Sequence, residues 1–262
     1  MSRCQDRLRR VALAHDGRRW GLPMRVWRRL ALTLSYPRTD RGFWYGFAID
    51  VIWPFLALAA RWDFRGGSAI PRRGGALIAV NHLSHIDPIV MVAFVLTRGR
   101  VPRFMAMSEL WDMRVVGAPL RGGRHIPVDR NGSGIQAYRA AVEAVRGGEV
   151  VVVYPEGGFP DHSDGWPRPA RTGITRIALE TGVPVIPVAQ WGSNQLLPPT
   201  ASRPVLRPRA TLRVLAGDPV ELDDLREGRI KRSDLDTATE RIMGRITEQL
   251  AELRGERWPT AL

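Results

Sequence analysis

The sequence predicts an α/β fold, a mixed and mostly parallel sheet covered by helices, with a helical segment at the N-terminus. Short apolar runs alternate with helical patterns from residue 70 onward, as in sheets whose strands are joined by helices. Two of the runs, 75–80 and 150–154, are apolar on both strand faces, which is typical of buried parallel strands. Cys4 is the only cysteine in 262 residues, which excludes an internal disulfide and a zinc cluster of thiolates.

Each element follows from a local pattern. Strands are expected where short apolar or alternating runs occur, at 75–80, 103–107, 150–154, 183–190 and 210–216. Helices are expected where apolar residues recur at helical spacing or exceed the length of a strand, at 86–97, 135–146, 173–180 and 235–253. Gly147 and Gly148 follow the second of these helices and are expected to end it.

The first 41 residues carry most of the net charge. They hold eleven arginines against three aspartates, which is +8 of the chain's +13 at neutral pH. An arm of this kind binds phosphate, either on a nucleic acid or on an anionic membrane. The next segment, 42–60, has Asp50 as its only charged residue and is long enough to enter a bilayer. A nucleic-acid partner would explain the charge but not this apolar stretch, so the expected partner is an anionic membrane.

Residues 1–62 are therefore interpreted as basic amphipathic and apolar helices that dock on a membrane. Five of the nine tryptophans fall in this segment, and tryptophan favours the membrane interface. Asp50 and Pro54 argue against simple spanning, so we expect a peripheral or monotopic anchor on the cytoplasmic face of the cell membrane. A helical hairpin that packs on the core behind a solvated basic rim is the alternative. Residues 63–262 form the second expected domain, with its first strand at 75–80.

The clearest candidate for chemistry lies where the strand 75–80 ends. The sequence there is Asn-His-Leu-Ser-His-Ile-Asp-Pro (81–88), at the strand end where sites form in α/β sheets. Across this turn, Asp87 can accept the proton of one imidazole nitrogen of His82. The other nitrogen is then free to take a proton from a substrate hydroxyl. A loop histidine and a helix N-cap are the simpler interpretations of these two residues.

Three further motifs follow in order and narrow the function. They are Ile-Pro-Val-Asp-Arg (126–130), Tyr-Pro-Glu-Gly-Gly (154–158) and Val-Pro-Val-Ile-Pro-Val (183–188). Together with the turn at 81–87, they resemble the 1-acyl-glycerol-3-phosphate acyltransferase family, which shows N-H-x-S-x-x-D, V-D-R, F-P-E-G-T and V-P-V-x-P-V in that order. The resemblance extends over about residues 66–222. Four motifs in the same order are far more specific than any one of them.

The resemblance implies the glycerolipid acyltransferase fold and an enzyme of phospholipid biosynthesis. Such an enzyme moves an acyl chain from a thioester, on coenzyme A or acyl carrier protein, to the hydroxyl of a lysophospholipid. The implied acceptor is 1-acyl-glycerol-3-phosphate, which gives phosphatidic acid. A different lysolipid, glycolipid or secondary-metabolite hydroxyl is the alternative with the same mechanism, and a non-catalytic protein that binds anionic membranes is the alternative of another class. No metal and no cofactor beyond the acyl-CoA or acyl carrier protein co-substrate is implied.

The resemblance also implies roles for individual residues. His82 is the implied general base, and Asp87 orients it. Arg130 is expected to hold the acceptor phosphate and Glu156 the acceptor glycerol. The full set of implied substrate-binding residues lies in or beside the motifs: Asn81, Ser84, Arg130, Glu156, Gly157, Gly158 and Arg171.

The chain departs from the family pattern after Glu156. The family has threonine and soon an arginine there, whereas this chain continues Gly-Gly-Phe, so Arg168 or Arg171 is expected to supply the charge. Other classes of site fit less well. The His-x-x-His-x-Asp spacing of the turn matches no strong zinc motif, and neither a G-x-S-x-G elbow nor a P-loop occurs.

Overall fold

The computed structural model describes residues 42–159, 164–200 and 210–257. Within these ranges, the strands are β1 (Arg61–Arg65), β2 (Ala76–Val80), β3 (Pro102–Met107), β4 (Ile126–Val128), β5 (Val150–Val153), β6 (Val185–Trp191) and β7 (Thr211–Ala216). The helices are α1 (Phe43–Ala59), α2 (Asp87–Leu96), α3 (Gly117–Gly122), α4 (Ile135–Arg146), α5 (Gly173–Thr181), α6 (Ser193–Leu196) and α7 (Arg232–Arg254). Short 3₁₀ turns occur at Gly67–Ala69, Ser108–Asp112 and Asp223–Leu225.

The described strands form one sheet in the order β1-β7-β6-β2-β5-β3-β4. Every neighbouring pair is parallel except β6 and β7, which are antiparallel. In the centre, Ala76 of β2 lies opposite Val150 of β5, and Leu77 lies opposite Val185 of β6. These three strands consist almost wholly of buried residues, because helices cover both of their faces. The predicted fold class is confirmed.

Two layers of helices cover the sheet. Helices α1 and α2 pack on one face, where the core contains Ile78 and Phe94. Helices α4, α5 and α7 pack on the other face, where the core contains Leu77 and Ile177. Neighbouring residues of β2 thus serve opposite cores, as strand geometry requires. The carboxyl ends of the parallel strands β2 and β5 meet at one edge, and the turns that follow them lie side by side.

Helix α1 is attached to the sheet through a buried histidine. The ring of His125 lies edge-on to Tyr45 of α1, with ring centroids 4.8 Å apart, and its Nδ1 accepts the backbone N–H of Phe104 at 3.0 Å. Burial lowers the pKa of His125 to about 4, so the ring is neutral and Nδ1 remains an acceptor. Tyr45 and Ile49 are both buried in the core of this face. The inner side of α1 is therefore part of the globular unit.

Strand β1 begins earlier than the sequence analysis expects, at Arg61 rather than near residue 75. It pairs in parallel with β7 at an edge of the sheet. Its sequence, Arg-Trp-Asp-Phe-Arg, places a charge at every second position and so lacks an apolar run, although Trp62 is buried. A domain boundary between residues 62 and 63 falls inside this strand. The globular unit therefore takes in β1 as well as the packed side of α1.

The outer side of α1 is apolar and exposed. Phe43, Trp44, Phe47 and Val51 are each at least 53% exposed. Among the described residues, no helix has both the length and the apolar character needed to cross a membrane. The basic arm, residues 1–41, lies outside the described residues. Docking of the N-terminal segment on a membrane stays a prediction.

Candidate active site

The turn between β2 and α2 brings His82 and Asp87 into contact. His82 Nδ1 lies 2.9 Å from Asp87 Oδ2, and the Asp87 side chain is fully buried. The same oxygen accepts the backbone N–H groups of Leu83 at 2.5 Å and Ser84 at 2.8 Å. Asp87 is also the first residue of α2, where the helix dipole favours a negative charge. The carboxylate is thus fixed by the turn that it faces.

This geometry sets the protonation of the imidazole. A carboxylate beside Nδ1 holds the proton on that nitrogen, which leaves Nε2 as the basic nitrogen. The His82 side chain is 17% exposed and lines a cavity at the carboxyl edge of the sheet. His82 is therefore placed to take a proton from a group in the cavity, as a general base does.

Two aromatic rings hold the His82 ring in place. Tyr154 stacks on it, with centroids 4.1 Å apart and an interplanar angle of 25°, and Phe159 lies against it at 4.3 Å. His85 contacts the edge of Phe159, and its Nε2 lies 3.2 Å from the Pro199 carbonyl oxygen. His85 therefore packs against the Phe159 ring that flanks His82.

Glu156 joins the motif turn to the loop that follows β5. Its Oε1 accepts the backbone N–H of His82 and its Oε2 that of Arg168, both at 2.9 Å. The residue is 4% exposed, and burial raises the pKa of Glu156 to about 7. The sequence analysis assigns Glu156 to the acceptor glycerol. It lines the cavity, yet both oxygens accept backbone hydrogen bonds, so it also positions the His82 turn.

Three arginines converge at one rim of the cavity. Arg130 Nη2 donates to the Gly157 carbonyl at 2.7 Å, and Arg168 Nη1 donates to the Phe159 carbonyl at 2.7 Å. The Arg171 side chain lies over Gly157, since a Cβ added there would be 3.1 Å from Arg171 Nε. Two segments supply them: Arg130 follows β4, and Arg168 and Arg171 lie in the loop before α5. Converging guanidinium groups form a site suited to a phosphate.

The two glycines shape the turn on which the arginines converge. Gly157 has φ of +68°, a conformation that favours glycine, and its N–H donates to the Tyr154 carbonyl at 3.0 Å. Gly158 follows within van der Waals reach of Arg168, since a Cβ there would meet Nη1 at 3.7 Å. Both glycines line the cavity, as the sequence analysis expects. Because the Gly157 amide is used within the turn, its contribution is the left-handed backbone.

Two residues assigned to substrate binding face elsewhere. Asn81 is 1% exposed and exchanges two hydrogen bonds with the backbone of Gln190, whose side-chain Nε2 donates back to the Asn81 carbonyl. Ser84 is fully buried, and its hydroxyl donates to the Leu197 carbonyl at 2.5 Å. Neither is among the residues that line the cavity. Their polar atoms hold the turn after β2 against β6 and α6, and so they position His82.

The cavity beside His82 has a volume of about 1780 Å³. Glu156 and the three arginines lie beside His82 in this lining, which also includes Arg114 and His125. The rest of its lining is mostly apolar and comes from α1, α2, β3 and the Ser108–Asp112 turn, including Trp44, Ile49, Ile89, Val92, Leu96, Phe104, Met105 and Leu110. A long apolar cleft with a few polar groups at one end suits a lipid with a charged headgroup.

Sequence reasoning missed the supporting residues of this site. The Tyr154 and Phe159 rings flank His82, but neither is distinguished by spacing or charge. Gln190 pairs with Asn81 across 109 positions, and no local pattern reports such a contact. Arg168 could be anticipated from the sequence, because the arginine that the family has after Glu156 is missing here. The structure places Arg168 at the rim of the cavity.

The fold, the His82–Asp87 pair and the apolar cleft define a class of protein. The family model described as Acyltransferase matches residues 61–191, which is half of the chain. The chain therefore belongs to the Acyltransferase family, and the resemblance drawn from the four motifs is confirmed.

Particular relatives carry a more specific name. A 1-acyl-sn-glycerol-3-phosphate acyltransferase of Bacillus subtilis is 23% identical over 180 residues, which cover 69% of this chain and 84% of that protein. A chloroplastic 1-acyl-sn-glycerol-3-phosphate acyltransferase of Brassica napus is 27% identical over 172 residues, which cover 64% of this chain and 46% of that protein. The chain thus spans less than half the length of the plant relative.

A solved structure supports the fold. The crystal structure of the 1-acyl-sn-glycerophosphate acyltransferase PlsC from Thermotoga maritima is similar with a TM-score of 0.62 and 22% sequence identity. The match covers 90% of this chain and 100% of that one. The order of elements described above is therefore that of a known acyltransferase fold.

Proposed function

We propose that the protein transfers an acyl chain from a thioester to the free hydroxyl of 1-acyl-glycerol-3-phosphate, which gives phosphatidic acid. The single observation that carries this proposal is the placement of His82, paired with Asp87, at the polar end of an apolar cleft whose rim bears three arginines. The names of the Bacillus and Brassica relatives support the same acceptor. Either coenzyme A or acyl carrier protein serves as the donor.

The reaction follows from the chemistry of the pair. His82 Nε2 takes the proton of the acceptor hydroxyl as its oxygen attacks the thioester carbonyl carbon. The new C–O bond gives a tetrahedral oxyanion, which collapses as the C–S bond breaks. The thiolate leaves with its electron pair and takes the proton back from the imidazolium. Asp87 stays ionised and stabilises that imidazolium, so no covalent acyl-enzyme is required.

The rim arginines recognise the acceptor in this proposal. Arg130 uses one donor on the Gly157 carbonyl and Arg171 lies over the Gly157 turn, and each of these two guanidinium groups has five N–H donors. The remaining donors face a phosphate placed at the rim. The acyl chain of either substrate then lies along the apolar walls of the cleft, where its burial contributes about 0.8 kcal/mol per CH₂ group.

The acyl acceptor reaches the cleft from a membrane in this proposal. Trp44, Phe47 and Val51 of α1 line the cavity and are exposed, as are Met113 and Val115 on the loop beside it. Apolar side chains at a cavity mouth are suited to the boundary of a bilayer, and the basic arm before α1 adds attraction to anionic lipids. The protein would then sit peripherally on the cytoplasmic face.

Liposome flotation tests the membrane surface. Trp44→Ser with Phe47→Ser should reduce flotation with anionic liposomes at both low and high salt, since salt screens charge but not apolar burial. Removal of residues 1–41 should reduce flotation mainly at low salt. Unchanged flotation of both variants would contradict this surface. The deletion ends at residue 41 because removal of residues 42–62 as well would take away the buried side of α1 and the start of β1.

Product analysis tests the reaction itself. Purified full-length protein is offered acyl-CoA or acyl carrier protein thioesters with a panel of lysolipids, and the products are identified by mass spectrometry. We expect phosphatidic acid from 1-acyl-glycerol-3-phosphate. Formation of a different diacyl lipid or of an acylated glycolipid would identify another acceptor for the same mechanism. Membrane binding without any acyl transfer would overturn the proposal in favour of a non-catalytic membrane protein.

A further inference from the structure

The two faces of the His82 imidazole are covered by different aromatic rings. The centroid of the Tyr154 ring lies 4.1 Å away at an interplanar angle of 25°, and that of Phe159 lies 4.3 Å away at 42°. Two rings on the same face at these distances would contact each other, yet the structure, which describes both residues, has no ring contact between Tyr154 and Phe159. They therefore lie on opposite sides of the imidazole. With Nδ1 held by Asp87, the edge that carries Nε2 is left for a substrate.

Phe159 is held against His82 by a closed set of contacts. The Glu156 carboxylate accepts the backbone N–H groups of His82 and Arg168, both at 2.9 Å. The Arg168 guanidinium donates to the Phe159 carbonyl at 2.7 Å, and the Phe159 ring packs back on His82. His85 adds a further contact, with its ring centroid 4.6 Å from that of Phe159 at an angle of 82°. The position of this ring relative to His82 is therefore set by several contacts at once.

Phe159 falls where the chain departs from the family pattern. That pattern continues from the glutamate to threonine and soon an arginine, whereas this chain continues from Glu156 to Gly-Gly-Phe. A guanidinium binds water through its five N–H donors, whereas a phenyl ring has no group that binds water. The departure therefore places an apolar ring against His82, while Arg130 and Arg171 bring positive charge to the Gly157 turn from other segments.

We propose that Phe159 is a specificity-determining residue, which makes His82 activate a lipid hydroxyl in preference to water. Direct attack by a hydroxyl needs such selection, because a base that deprotonates an alcohol also deprotonates water. In the side reaction a water oxygen forms the C–O bond to the thioester carbonyl carbon, the C–S bond breaks, and the leaving thiolate receives the proton from His82. The products are a fatty acid and a thiol. This inference rests on the proposed function, since it takes His82 as the base and a thioester as the donor.

The partition of the acyl chain between lipid and water tests this role. Full-length protein is given labelled acyl-CoA with and without 1-acyl-glycerol-3-phosphate, and diacyl lipid and free fatty acid are measured together. Phe159→Ala uncovers one face of His82, and Phe159→Leu is the matched control that keeps an apolar cover. Selection by apolar packing is usually worth about 10–200-fold, so the ratio of fatty acid to diacyl lipid should rise by about tenfold in Phe159→Ala. It should change much less in Phe159→Leu.

A double variant shows whether His82 activates the water. The hydrolysis gained in Phe159→Ala should disappear when His82→Ala is added, because no base remains beside the thioester. A ring that only packs would lower transfer and hydrolysis together and leave their ratio unchanged. An unchanged ratio in Phe159→Ala, or the same gain of hydrolysis without His82, would therefore overturn the proposal.

Chemical modification of His82 separates this inference from the proposed function. Diethyl pyrocarbonate modifies an accessible neutral imidazole nitrogen, and peptide mass spectrometry gives the rate at each histidine of the full-length protein. The rate at His82 should increase in Phe159→Ala and stay near the native rate in Phe159→Leu, with buried His125 as the reference. An unchanged rate at His82, or an equal increase at His125, would contradict the shielding. If no lysolipid is acylated, the proposed function fails, while fatty acid release and the modification rate still decide whether Phe159 shields His82 from water.

Discussion

The His82–Asp87 pair and the arginine rim share one cavity but are held in different ways. Asp87 is fully buried and receives two backbone amides besides His82, and Glu156 ties the His82 backbone to the opposite loop. Arg130 and Arg171 are exposed, and Arg130 is held through a backbone carbonyl. The pair is pre-organised by the fold, whereas Arg130 and Arg171 are open to a ligand at the rim. We therefore expect changes at the pair to lower kcat and changes at the rim to raise KM.

The largest effect is expected from His82→Ala. Loss of a positioned general base should lower kcat by about 10²–10⁴-fold with little change in KM, because the acceptor is still bound at the rim. Single-turnover rates and KM with a thioester donor measure both. His85→Ala, in the same turn but without contact to Asp87, should lose less than tenfold. A folded His82→Ala protein with wild-type turnover would exclude His82 as the base.

The second-largest effect is expected from a change at the arginine rim, Arg130→Ala. Arg130→Ala removes one charged donor to a phosphate, which is worth about 1.5–3 kcal/mol and so raises KM for a phosphorylated acceptor roughly tenfold to a hundredfold. An uncharged monoacylglycerol should be affected much less. Arg139→Ala, which changes an exposed arginine of α4 outside the cavity, is the matched control for loss of one positive charge. Equal effects of Arg130→Ala on charged and uncharged acceptors would rule out phosphate recognition.

Glu156→Gln tests the connection between the two regions. The amide has one acceptor oxygen for two backbone donors, so the His82 turn should loosen and kcat should fall by about tenfold. A stability measurement gives a second readout. Since burial raises the pKa of Glu156 to about 7, the folded state binds this proton more tightly than the unfolded state does.

The wild-type protein should therefore lose stability from this group as the pH rises from about 4.5 towards and through 7. Glu156→Gln should not show that part of the pH dependence. Urea unfolding at pH 5 and pH 8 measures the difference. An identical pH dependence in the two proteins would mean that Glu156 keeps an ordinary pKa.

The smallest effect is expected from Arg254. Its guanidinium lies over the rings of Trp166 and Trp191, at 4.1 and 4.5 Å, and its Nη1 donates to the Asp164 carbonyl. The contact fastens the loop that carries Arg168 to α7. Arg254→Ala should raise acceptor KM about two- to fivefold, and Arg254→Lys should recover part of the loss, because lysine keeps the cation but not the planar stack. An effect on kcat alone would indicate that the Arg254 contact supports His82 and Asp87 rather than the arginine rim.

The sequence was informative wherever a physical signal is local. Buried parallel strands read as apolar runs, which identified β2 and β5, and the turn after β2 gave both members of the His82–Asp87 pair. Strand β1 was not predicted, because charged residues alternate with its apolar side chains. Strand β4 was not predicted, because it has only three residues and Pro127 is in the middle. An edge strand such as β4 tolerates a proline. Asn81 was assigned to substrate binding because it belongs to the N-H-x-S-x-x-D motif, and only the long-range contact with Gln190 reveals its structural role.

The same limit applies to the site. A motif names the residues of a turn but not the direction in which each side chain points, so Ser84 and Asn81 were counted with residues that face the cavity. The rim shows the converse case. Arg168 and Arg171 are close in sequence, but Arg130 is far from both, and only the meeting of the segments after β4 and β5 brings the three together.

Helix α2 contributes both to the His82–Asp87 pair and to the apolar wall of the cleft. Its first residue, Asp87, contacts His82, the proposed base, while Ile89, Val92 and Leu96 line the cleft in which an acyl chain is proposed to lie. A chain that fits this wall poorly would displace the helix, and with it the carboxylate, by the same small amount. The length of the acyl chain would then affect the rate of the chemical step as well as the affinity for the substrate. Redesign of the wall for another chain length would need to be compensated at Asp87.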